Sequence, residues 1–249
     1  ARLTMTGHLN QARWVEAARE AEKLIVAAPD DMLARSLLAR QALSAGRPDE
    51  ARDHLDAVPS PFDKYDSASP AALLLFVRLK RELGQDPADA IAFMATRLLP
   101  ILRSRQAEQL PPAGRWQLVH CYHEAGRSLE QHPELAELWM PTTRLIDLAG
   151  QSPEQAATVA AASEEQLALL DAMQRIGRVP PADAAELRVD VERQIERSWQ
   201  AAQQHDPKDP RPYAGLALAA RRRNDEAAMR QWLQQGIESS GDARSLQLL

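Results

Sequence analysis

Residues 32–58 read MLARSLLARQALSAGRPDEARDHLDAV, and this stretch decides the fold. Apolar and small residues recur through 32–45 with helical spacing, and Gly46 follows where such a helix stops. Pro48 sits at the joint, and a second short helix over 48–57 carries Ala51 and Leu55 one turn apart. Ala39, Ala42 and Ala51 are small enough for two helices to approach closely, while Leu38 and Leu55 fill the space between them. One such hairpin cannot bury its apolar face alone, so stacking against neighbours is required.

The rest of the chain has the composition this hairpin implies. Its 249 residues include 44 Ala and 33 Leu, about 31% of the total, against 22 Val, Ile and Thr together. Ala and Leu lose little freedom in a helix, whereas β-branched residues favour strands, so an all-β fold is excluded and a parallel α/β core is disfavoured. Of eleven aromatic residues five are Trp, a few large anchors among many small contacts. The net charge of −5 argues against general nucleic-acid or membrane-surface binding. Cys121 is alone, so no internal disulfide forms, and the longest apolar run, Ala71–Val77, is far too short to cross a bilayer. No signal peptide is visible. The chain begins at Ala1 rather than Met, so a cytoplasmic setting is the default and a removed leader or anchor stays open.

Seventeen prolines punctuate the chain, mostly at joints. Ser69-Pro70, Asp86-Pro87 and Ser152-Pro153 each place a capping residue before a first-turn proline. Ser152 and Gln155 have the spacing of a capping box, and Gly84, Gly126 and Gly177 mark further helix ends. Helices are expected over 9–28, 31–45, 48–57, 69–83, 86–109, 113–126, 133–149, 153–176, 181–205, 210–223 and 225–239. Pro100 and Pro141 fall inside two of them and should kink or split them, and Pro59 to Ser69 reads as an irregular loop. Leu187, Val191, Ile195, Trp199 and Ala202 form one stripe.

Ala17 and Ala51 lie 34 residues apart, and Gly46, Gly84 and Gly126 follow at intervals of 38 and 42. With Leu38-Ala39, Ala42, the run Gly46 to Ala51, Leu55 and the inter-repeat break Pro29-Asp30-Asp31, the chain resembles the tetratricopeptide repeat family. Asp206-Pro207-Lys208-Asp209-Pro210 is a similar break, followed by Pro212-Tyr213, Leu216-Ala217, Ala220 and Trp232-Leu233. The match is best over 12–58 and 195–237, while 59–194 keeps only Trp116, Leu118, Tyr122 and Gly126, with longer spacing. The resemblance implies one array over 1–249: an all-α, right-handed α-solenoid of about five stacked hairpins after a lead helix, irregular and elongated at its centre.

In that family the first helix of each hairpin lines a concave groove that holds a peptide. Carried over, the groove positions here are Ser36, Arg40, Leu74, Arg78, Arg81, Trp116, His120, His123, Arg221 and Arg222. This line is net positive on an acidic protein. It implies a partner peptide bearing carboxylates, with Arg78 and Arg81 as their partners and Trp116 as an apolar anchor.

No catalytic or phosphate-binding motif occurs. His120, His123 and Glu124 share a helical face with ligand-like spacing, but Cys121 points about 100° away. A polar groove face, ordinary packing and a metal site are the three readings of that cluster. Arg221-Arg222-Arg223 reads either as an anion patch or as positive charge complementing a helix C-terminus. Trp232, Leu233, Ile237, Leu246, Leu248 and Leu249 near one end, and Leu3 and Met5 near the other, raise self-association or a longer array. The resulting expectation is a non-catalytic, cofactor-free and metal-free protein-interaction scaffold. The alternatives are an assembly module without a peptide groove, and a metal-dependent regulator or enzyme using His120, His123 and Glu124.

Overall fold

The computed structural model describes residue 5 and residues 13–59, 70–104 and 106–241. Among these residues every regular element is helical. The loop expected between Pro59 and Ser69 therefore lies almost wholly outside the described residues, as do Leu3, Leu246, Leu248 and Leu249. The chain divides into two compact units, one ending at Pro100 and the other beginning at Ile101.

The first unit holds α1 (Trp14–Ala27), α2 (Met32–Ser44), α3 (Pro48–Asp56), α4 (Pro70–Glu82) and most of α5 (Ala88–Arg103). Helix α2 packs against α1, α3 and α4. Asp31 starts it, its carboxylate accepting from the Ala34 amide at 2.9 Å. Gly46 ends it at φ +71°, a conformation that lets Arg47 N donate back to Ala42 O and Gly46 N to Leu43 O, both at 2.9 Å. The same pair of bonds closes α4 through Gly84 and Gln85.

The close-approach sites are where the sequence places them. Ala17, Ala18 and Ala21 of α1 are buried, as are Ala39 and Ala42 of α2 and Ala51 of α3, with Leu38 and Leu55 between them. Burying a leucine of this kind contributes about 1.5–3 kcal/mol. Because α1 docks through its alanines, Trp14 at its start stays outside, 44% exposed, with the Arg40 guanidinium 4.1 Å over its ring.

The second unit contains α6 (Pro112–Gly126), α7 (Trp139–Ala149), α8 (Ala156–Arg175), α9 (Pro181–His205), α10 (Pro210–Arg222) and α11 (Glu226–Ser240), with 3-10 turns at Gln106–Gln109, Pro133–Leu138 and Pro153–Gln155. Helix α6 packs against α7 and α8, α8 against α7, α9 and α10, and α10 against α9 and α11. The two-bond stop of α2 recurs after α8, at Gly177 and Arg178, and after α10, at Asn224 and Asp225. Val191, Ile195, Trp199 and Ala202 form the buried stripe of α9, with Leu187 half-buried at its edge.

Several local expectations change. The helix expected over 86–109 ends at Arg103, and the one over 133–149 is a 3-10 turn that becomes α7 only at Trp139. Pro141 then falls in the first turn of α7, where its missing N–H costs no intrahelical bond. Pro100 lies within α5 without ending it, and the division between the two units falls there. The capping box at Ser152 does not form: no side-chain bond caps this helix start, and the Ser152 side chain instead bonds the Glu154 carboxylate. Gly126 closes α6 but is not left-handed. A Cβ there would stand 2.5 Å from Leu169, so its smallness serves contact with α8. Gly215 does the same on α10, where a Cβ would meet the Trp199 ring at 2.3 Å.

Candidate functional site

Helical spacing sets Trp116, His120, His123, Glu124 and Arg127 along one side of α6. The structure brings this row against α8. Trp116 is 9% exposed and donates from Nε1 to Gln155 Oε1 at 3.1 Å, which is where the side chain expected in the capping box goes. His120 is half-buried and stacks on the Trp116 ring, centroids 6.2 Å apart. His123 is buried, with Nδ1 3.2 Å from Glu165 Oε2 and Nε2 3.3 Å from Gln166 Oε1. Glu124 is buried too, its carboxylate 4.0 Å from Arg127 Nε.

Gln166 ties this seam to α7. Its Nε2 donates to the Trp139 carbonyl and to Thr143 Oγ1, at 3.3 and 2.7 Å, and its own backbone carbonyl accepts from Trp139 Nε1 at 3.4 Å. Buried amides need such partners, because an unmet one costs about 1–3 kcal/mol. At the start of α6, Arg115 donates to the carbonyls of Leu148 and Glu108, clamping the end of α7 and the preceding 3-10 turn.

Two consecutive carboxylates on α8 face different neighbours. Glu165 meets α6, and the His123 imidazole beside it holds its carboxyl below the usual carboxylate range against partial burial. Glu164 meets the later helices, accepting from Trp199 Nε1 at 3.2 Å and pairing with Arg222 at 3.4 Å. Arg223 pairs with Glu196, so Arg222 and Arg223 are engaged with α8 and α9.

In the first unit Arg40 on α2 and Arg78 on α4 are exposed, Leu74 and Arg81 are half-buried, and Ser36 is wholly buried. The residues carried over from the repeat pattern thus separate by environment. Arg40, Arg78, Arg221 and Arg222 face solvent and His120 half-faces it, whereas Ser36, Trp116 and His123 are packed between helices. The exposed indole is Trp14 rather than Trp116, because α1 docks on α2 through alanine.

Gln155, Glu165 and Gln166, with Trp139, are the partners that reading one helix at a time does not identify. A signal exists at Gln166: it is a polar residue in a row with Val159, Ala162, Ser163 and Leu170, all core-facing, and a long amide there demands a buried partner.

Among the described residues no group of three or more His, Cys, Asp or Glu side chains is placed to hold a metal ion, and no helix is long and apolar enough to cross a membrane. Compared with known protein families and with curated proteins, the chain matches no family model and no curated sequence.

Proposed function

We propose that the chain is a non-catalytic scaffold of the tetratricopeptide-like, α-solenoid kind, holding a carboxylate-bearing segment of a partner protein against arginines on the first helices of its hairpins. The observation that carries this reading is the way first helices meet. Helix α2 packs on α4, α6 on α8, and α8 on α10, each skipping one helix in the chain. Sequential first helices in contact present successive side chains to a partner segment within one unit, and Arg40 and Arg78 on α2 and α4 are exposed cations of the first unit. Guanidinium groups suit carboxylates because two parallel N–H donors meet two oxygens.

Selection of a random peptide-display library tests this. Wild-type protein should enrich sequences rich in Asp and Glu, and Arg78→Ala/Arg81→Ala should not. Equal enrichment by both proteins rejects the assignment of these arginines.

A second reading, an assembly module that joins copies or longer arrays end to end, is favoured by α1. Trp14, Val15 and Val26 on that helix are 44%, 59% and 84% exposed, large apolar groups on an outer face. Sedimentation of wild type beside Val15→Lys/Val26→Lys separates the two: an oligomer dissociated by the lysines supports assembly, and a monomer in both cases removes it.

A further inference from the structure

Arg35, in the first turn of α2, joins three segments of the first unit. Its Nε donates to the Pro29 carbonyl in the turn before α2, and its Nη1 lies 3.2 Å from Nδ1 of His54 on α3. A guanidinium stays charged and only donates, so Nδ1 must offer its lone pair. The single hydrogen of the neutral ring then sits on Nε2, which lies 3.9 Å from Glu50 Oε1, beyond hydrogen-bonding reach. A second proton can enter only at Nδ1. There it sets N–H against N–H, and a hydrogen bond gives way to repulsion between two cations, around an imidazole only 18% exposed.

The other charges around the ring leave this balance in place. On α3, Glu50 and Asp53 favour a proton, but Glu50 is paired with Arg47, which disfavours one, and Asp49 is paired with Arg52. The turn before α2 brings Asp30 and Asp31, the latter bonded to the Ala34 amide. Besides Arg35, α2 carries Arg40, which is stacked on Trp14. Helix α4, also packed on α3, carries Arg78, Lys80 and Arg81 against Glu82, a net positive charge that opposes protonation as Arg35 does. Burial first and Arg35 second hold the imidazole below its ordinary range, outweighing Glu50 and Asp53.

We propose that the Arg35–His54 contact is an acid-released latch, which ties α3 and the α1–α2 turn to α2 while the imidazole is neutral and lets go when Nδ1 gains a proton. With the folded-state value lowered, the unfolded chain takes up its proton first, from about pH 6.5 downward. The unfolded chain then binds more protons, so stability falls as pH falls. The contribution is full above about pH 6.5 and is lost through the lower, folded-state value, by up to about tenfold in the closed-to-open ratio per pH unit. Ala51 and Leu55 stay buried against neighbouring helices, so α3 loosens without leaving. This property is independent of the scaffold role.

Two measurements test it. Nitrogen-15 correlation spectra of the wild-type imidazoles, with His54 assigned through its side-chain couplings, should show a neutral ring protonated at Nε2 at about pH 7, titrating below about 6.5. Arg35→Met, which keeps the stem without the charge, should move that midpoint upward. Hydrogen exchange should show the protection of the α3 amides falling by up to about tenfold per pH unit between about pH 6.5 and 5.5 in wild type. His54→Gln offers Arg35 a carbonyl that does not titrate, so its protection should stay level over that range. A neutral ring protonated at Nδ1, a midpoint indifferent to Arg35→Met, level protection in wild type or an equal fall in His54→Gln each overturns the proposal. The wild-type spectrum decides even where a variant does not fold.

Discussion

The hairpin α2–α3 and the seam α6–α8 solve the same packing problem with different chemistry. Between α2 and α3 the contact is made by Ala39, Ala42 and Ala51, with Leu38 and Leu55 filling between them. Between α6 and α8 the buried groups include His123, Glu124, Ser163 and Gln166. The first contact depends on shape and tolerates no change in volume. The second depends on polar partners, chief among them the bonds that Gln166 makes to His123, Thr143 and Trp139. The two contacts therefore differ in character, one made by shape and the other by polar partners.

The largest effect is expected in the apolar hairpin. Leu55→Ala leaves a cavity at a wholly buried position and should cost about 2–5 kcal/mol of unfolding free energy by denaturant titration. A loss under 1 kcal/mol would mean the site collapses freely and that packing is not its basis. In the seam, Gln166→Leu keeps the bulk but strips partners from His123 and the Trp139 carbonyl, and should cost about 1–3 kcal/mol. A neutral or stabilising outcome would make the network dispensable.

The third expectation is an acid limb. Glu165 is held below its ordinary range mainly by the His123 imidazole beside it, so its contribution is present above the usual carboxylate value and is lost as pH falls through the depressed one. Glu165→Gln should flatten this part of the stability profile, while Leu55→Ala should lower the whole profile without changing its shape. Its half-exposed side chain keeps the effect modest. Smallest is Arg40→Ala, which removes an exposed cation from the face of Trp14 and should cost about 0.5–1 kcal/mol, with a change in Trp fluorescence.

The same contrast explains what the sequence shows and conceals. Ala39, Ala42, Ala51 and Leu55 are legible because shape-based packing follows helical periodicity and needs no knowledge of the partner. Gly46 is legible because a left-handed stop depends on the local chain. Gln166 is half legible: its core-facing row on α8 calls for a buried partner, but that partner, His123, lies 43 residues away and the row does not name it. Gly126 and Gly215 escape for a related reason: each is small to admit Leu169 or Trp199 from another helix, while in sequence a helical glycine looks like a terminator. Trp116, expected to be a groove anchor, is packed between helices, whereas Trp14 is exposed because α1 docks through its alanines. Of the proposed site, the exposed arginines follow from the repeat spacing, whereas the burial of Trp116 and His123 required the position of α8.

The central claim is that exposed arginines on first helices hold a carboxylate-bearing partner. Its most direct test is titration of the peptide most enriched on the wild-type protein against wild type and against Arg78→Ala/Arg81→Ala, by calorimetry. Each charged hydrogen bond lost costs about 1.5–3 kcal/mol, so the account predicts affinity weakened by at least about tenfold with the fold intact. Equal affinity in the two proteins would contradict it.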